Sequence, residues 1–120
     1  MLAIAMNAAS PEQPALSVEA AAASLSGRWR GSASVAAGDE LDVEIELASP
    51  RSWGELTDLD GEWTNSIRGV VELAFDDGVI VLRIGGFAAQ LEVTDTVPAG
   101  AVGTTLRVPA EDVEIFPSGV

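Results

Sequence analysis

Hydrophobic and polar positions alternate with a period of two over much of this chain. Leu41, Val43, Ile45 and Leu47 fall on one parity, and Asp42, Glu44 and Glu46 on the other. Such a segment predicts a strand with one buried and one wet face, the pattern of an antiparallel sheet. Trp29, Gly31, Ala33 and Val35 alternate in the same way with Arg30, Ser32 and Ser34, which predicts a strand from Arg28 to Val35. Ala37-Gly38-Asp39 then reads as a turn.

Ile67, Val71, Leu73 and Phe75 lead into Asp76-Asp77-Gly78, and Val79 to Ile84 returns as an apolar run broken only by Arg83. Asp-Gly between two β-rich runs marks a hairpin, because the tight turn needs positive φ. Gly85-Gly86 ends that run as a tight turn or bulge. Phe87, Ala89, Leu91 and Val93 form a further strand, followed by Thr104, Leu106 and Val108. Pro109 to Asp112 reads as a turn or short 3₁₀ piece before Val113 to Phe116.

Two stretches carry weaker signals. Residues 1–14 end in Ser10-Pro11-Glu12-Gln13-Pro14 without clear periodicity and read as a flexible tail. Leu16 to Leu25 contains Val18-Glu19-Ala20-Ala21-Ala22-Ala23, which favours helix by composition but is short; neighbouring β elements favour strand. From Ser49 to about Asn65 no period holds, and connections this long are uncommon in a compact domain unless they serve a function.

Six to eight short strands about ten residues apart predict an all-β domain at 15–120. The fold expected is a small antiparallel β-barrel, with a β-sandwich as the alternative. No sequence repeat stands out, although Gly27-Arg28-Trp29 and Gly61-Glu62-Trp63 share a Gly-x-Trp spacing.

Composition narrows the chemistry. The 120 residues carry 19 acidic and 6 basic side chains, a net charge of −13, and every basic residue is arginine. Histidine, cysteine and tyrosine are absent, so the usual proton shuttles, thiolate nucleophiles and soft metal ligands are missing. A chain this acidic repels nucleic acid and anionic membranes and attracts basic proteins. Hydrophobic residues make up 48% of the chain, which argues against disorder despite the charge. The start lacks a basic n-region and a long apolar core, which predicts a cytoplasmic protein without a signal peptide.

The candidate sites are few. Asp58, Asp60 and Glu62 could surround a hard cation, but against an EF-hand loop Gly61 arrives before the sixth position, Glu62 occupies the fifth, and Gly69 stands at the twelfth where a glutamate is needed. No metal or cofactor is therefore expected, and the alternative is an Asx-type turn with solvated acids. Chance carboxylate pairs do not make a glycosidase, so no catalytic residue is assigned. The binding candidates are Trp53, Trp63, Arg51, Asp58, Asp60, Glu62 and Trp29, because tryptophan and arginine dominate binding hot spots. For Trp29, on a predicted strand, core packing is the stronger reading.

Gly27-Arg28-Trp29-Arg30-Gly31 resembles the opening of calycins, the barrels that include lipocalins and nitrobindin-like proteins. A haem-binding relative would also carry a histidine ligand, which this chain lacks. Residues 100–117, from Gly100 through Thr104-Thr105-Leu106-Arg107-Val108-Pro109 to Pro117, are similar to the closing strands of TOBE and related OB-like barrels. That resemblance implies a small barrel and no ligand residues. The functional expectation is a non-enzymatic module of inhibitor, immunity or adaptor type that binds a basic partner protein. A small-ligand barrel entered near residues 50 to 65 is the alternative, and a structural or accessory domain, a homo-oligomer through an open strand edge, is a third.

Overall fold

In the computed structural model, residues 1–118 are described. They form β1 (Leu2–Ala5), β2 (Ala15–Ala20), β3 (Ala23–Trp29), β4 (Glu40–Leu47), β5 (Ser66–Ala74), β6 (Val79–Ile84), β7 (Phe87–Glu92), β8 (Thr105–Pro109) and β9 (Val113–Pro117). One short helix, α1 (Trp53–Thr57), and a 3₁₀ turn, Ala110–Asp112, complete the regular structure. The expected all-β barrel is present: β1, β2, β3, β9 and β4 follow one another laterally, and β4 pairs back onto β1 to close a five-stranded ring.

β4 extends this ring into a second set of strands, because its far half also meets β7, from which the order runs β7-β6-β5-β8. Most pairings are antiparallel, but β3 with β9 and β4 with β7 are parallel, which alternation within single strands cannot reveal. Period-two burial holds well. Val43, Ile45 and Leu47 are buried while Asp42, Glu44 and Glu46 are exposed, and Ile80 and Leu82 are fully buried between partly covered Val79, Val81 and exposed Arg83. One core unites both strand sets, with Leu16, Val18, Phe87, Leu106 and Ile115 among its least exposed side chains.

A topological repeat underlies this layout. β1-β2-β3 is a meander whose first strand is paired on its other side by β4, and β5-β6-β7 is a meander whose first strand is paired on its other side by β8. The last strand of each meander then meets a strand of the other half in parallel: β3 meets β9, and β7 meets β4. At the centre β4 and β9 lie antiparallel with Ile45 opposite Ile115. The two Gly-x-Trp segments do not mark this repeat, since Trp29 ends β3 and Trp63 precedes β5.

Three expectations are corrected. The stretch 1–14 is not a loose tail: β1 pairs with β2 and β4, and Ala9 bridges to Val35. Ala3 and Ala5 point inward while Leu2 and Ile4 face out, so both parities are apolar and the alternation was hidden. The strand from Arg28 ends at Trp29, because the indole folds over the following turn, donates from Nε1 to the Ala33 carbonyl at 2.9 Å, and occupies the space a Cβ on Gly31 would need. The segment 16–25 is neither one helix nor one strand but a hairpin turning at Ala21-Ala22.

Candidate functional site

The irregular segment 49–65 is ordered by local capping and by two arginines. Ser52 caps α1: its Oγ accepts from the Glu55 N–H at 3.2 Å, while the Glu55 carboxylate accepts from the Ser52 N–H at 3.2 Å. This capping box, readable as Ser-x-x-Glu, was missed in the sequence. It sets Leu56 into the core, fully buried. Trp53 is half-buried against the same core, and its N–H donates to Asp95 at 2.8 Å.

Arg51 anchors the start of the segment. Its Nε and Nη2 each donate to an Asp112 carboxylate oxygen at 2.9 Å, a bidentate fork, and Nη1 reaches Glu55 at 3.4 Å. Asp112 is 3% exposed and is the buried charged residue among those described. Its hydrogen bond holds the Arg51 guanidinium above its ordinary pKa against the opposing effect of burial, with the charges of Asp112 and Glu55 adding to it. Buried acid and arginine thus satisfy each other, and Arg51 is committed to the fold rather than offered to a partner.

Arg107, on β8, organises the other end and was not singled out from the sequence. Its Nε donates to the Asp58 carbonyl at 2.8 Å, and its Nη1 to the Glu62 carbonyl at 3.1 Å and Ser66 Oγ at 3.3 Å. Gly61 lies against this guanidinium so closely that any Cβ there would collide with it. The loop therefore wraps an arginine with backbone oxygens. The Asp58 side chain accepts from the Asp60 N–H at 3.2 Å, the Asx-type turn anticipated as the alternative to a cation site. Among the described residues no group of three or more acidic side chains is placed to hold a metal ion.

The seven residues singled out thus separate. Trp29 is 5% exposed and belongs to the core, away from any surface site. Arg51 is locked onto Asp112. Asp58, Asp60 and Glu62 are exposed beside Leu59, and Trp63 is half-buried with its Nε1 donating to the Leu59 carbonyl at 3.0 Å. The Arg68 guanidinium stacks over the Trp63 ring at 4.7 Å from its centroid. One face of Trp63 is therefore already covered by the protein's own cation.

A large open cavity lies elsewhere. It measures about 770 Å³ and opens between the β5–β6 turn, residues 74–78, and the segment 92–102. Phe75, Val97 and Val102 line it together with Asp76, Asp77, Glu92 and Asp95. In comparisons with known proteins, the chain matches no family model and no curated protein. Among the described residues no helix is long and apolar enough to cross a membrane.

Proposed function

We propose that this domain is a non-enzymatic recognition module that binds a basic partner protein through its carboxylate-rich exterior. One observation carries this reading: five of the six arginines are engaged within the protein. Arg30 pairs with Glu114 at 3.3 Å, Arg83 with Glu72 at 3.0 Å and Arg51 with Asp112, while Arg68 covers Trp63 and Arg107 holds loop carbonyls. Most carboxylates consequently face solvent without a cation beside them.

The sheet exterior adds support. Glu46 stands directly opposite Glu114 across the β4/β9 ladder, an arrangement that destabilises a sheet, and only Glu114 has Arg30 beside it. Such a surface accelerates encounter with a cation-rich partner, and the gain falls as salt rises. The five-stranded ring supports the OB-like side of the resemblance over calycins, whose lipocalin members close with eight strands. Against a small-ligand barrel, the ring strands bury Leu16, Val18, Leu25, Trp29 and Ile115 in the core.

The test is affinity capture from a native lysate at about 0.05 M and about 0.5 M salt, with identification of what is retained. The expected result is a basic protein held at the lower concentration and released at the higher. Retention of a polyanion, or turnover of a substrate by the isolated domain, overturns the proposal.

A further inference from the structure

We propose that the cavity between the β5–β6 turn and the segment 92–102 is a docking groove for an extended peptide carrying arginine or lysine beside apolar side chains. This inference rests on the recognition of a basic partner and assigns it a place.

Three independent observations converge on that groove. The first is a bulge. Val71 pairs with Leu82 but Leu73 pairs with Val81, so one extra residue at Glu72 shifts the register of β5. Without it, Val71, Leu73 and Phe75 would share the buried parity that their spacing predicts. With it, Leu73 sits opposite Val81 on the outer face, and Leu73 and Phe75 are 52% and 51% exposed. Bulges re-aim side chains, and here the shift turns large apolar groups toward water. The backbone of residues 101–104 pairs with Val71, which brings Val102, 60% exposed, to border both Leu73 and the groove.

The second observation is charge. Asp76, Asp77, Glu92 and Asp95 line the groove, and no arginine does. Asp76 and Glu92 make no side-chain hydrogen bond or ion pair among the described residues, whereas Asp77 caps the Val79 N–H at 3.1 Å and Asp95 holds Trp53. Apolar anchors rimmed by unopposed carboxylates complement a peptide whose cations flank apolar side chains.

The third is the groove's far wall. From Asp95 to Val97 the backbone belongs to no strand or hydrogen-bonded turn, and none of its N–H or C=O groups is paired with another backbone group among the described residues. An extended chain laid along it meets free donors and acceptors, which supply affinity while the pockets supply selectivity. The volume of about 770 Å³ fits a few side chains of such a peptide.

The experiment uses fluorescence anisotropy with a labelled nonapeptide alternating arginine and leucine, and a second alternating arginine and serine, at about 0.05 M salt. The arginine–leucine peptide should bind at least about tenfold more tightly than the arginine–serine one, as expected for an apolar anchor. Phe75→Ser should weaken it by about tenfold and the pair Asp76→Asn, Glu92→Gln by about fivefold, with amide shifts on binding centred on Gly78 and Gly100. The control pair Glu40→Gln, Glu111→Gln removes the same charge from exposed sites outside the groove and should change binding by less than about twofold. All five positions are exposed, and unchanged thermal unfolding verifies the fold. Equal weakening by both charge pairs, indifference to Phe75→Ser, or equal binding of the two peptides overturns the groove while leaving the basic-partner reading intact. That broader reading fails separately, if the capture experiment retains no basic protein.

Discussion

The meanders β1-β2-β3 and β5-β6-β7 have the same connectivity and the same inward parity, yet they bring different residues to their ends and edges. In the first, Trp29 closes the last strand and is buried; in the second, Trp63 stands before the first strand and lies half-open under Arg68. The first meander turns at Ala21-Ala22, the second at Gly85-Gly86. The first has no register shift in its β1/β2 ladder, whereas the second carries the β5 bulge that exposes Leu73 and Phe75. Both halves fill one core, but they expose apolar side chains differently: Leu2 and Ile4 by the ordinary alternation of β1, Leu73 and Phe75 by the bulge in β5.

The tryptophans give the largest expected contrast. Trp29→Ala removes a core indole and its bond to the Ala33 carbonyl, and should cost about 4 kcal/mol of the ~5–15 available to such a domain. Trp63→Ala loses an exposed cation–π contact and should cost about 1 kcal/mol or less. Urea unfolding monitored by circular dichroism separates the two. Comparable losses would mean that the second tryptophan is as structural as the first, and that the halves differ less than their burial implies.

How legible this was from the chain depends on where the signal lay. β4, the Asp77-Gly78 hairpin and β9 were readable because one parity is apolar and the ends carry turn residues. β1 was not, because Leu2 and Ile4 hid the inward Ala3 and Ala5. The exposure of Leu73 and Phe75 was not readable either, since a one-residue bulge leaves no mark in the composition of β5. At the site, the acidic run Asp58, Asp60 and Glu62 is exposed, as its Asx-turn reading implies, but the roles of Arg51 and Arg107 depend on Asp112 and on backbone carbonyls of residues distant in sequence. Parallel pairing and strand exchange between the halves involve partners about 45 to 85 residues apart, beyond any local pattern.

The next contrast is between arginines. Arg51→Ala leaves the Asp112 carboxylate buried without its partner and should cost about 3 kcal/mol. Arg83→Ala breaks an exposed pair with Glu72 and should cost at most about 1 kcal/mol. Because the folded protein raises the Arg51 pKa, the pair contributes fully at neutral pH and is lost only as pH rises past the ordinary arginine range. A stability profile flat between pH 7 and about 10 at this linkage, in wild type relative to Arg51→Ala, checks the sign. Arg107→Ala falls between the two, at about 2 kcal/mol, because charged donors to the Asp58 and Glu62 carbonyls are removed. Its effect should be concentrated in faster amide exchange across residues 58–63.

The smallest effect tests the repeat most directly. Ala21 and Ala22 adopt φ of +49° and +65°, the left-handed region that costs a residue with a Cβ about 1–2 kcal/mol. Glycine removes that strain but adds about 0.5–1 kcal/mol of chain entropy to be lost on folding, so Ala22→Gly should stabilise by roughly 0.5–1 kcal/mol. The corresponding turn has Gly85 at φ +59°, and by the same two effects reversed Gly85→Ala should destabilise by about 0.5–1 kcal/mol, and by more because the new Cβ would sit 3.1 Å from that of Ala23. Urea midpoints at unchanged m-value read both signs. Opposite signs are required if positive φ at the substituted residue decides both outcomes, while a loss of stability from both substitutions would show that the alanine turn is held by its methyl contacts rather than strained by them.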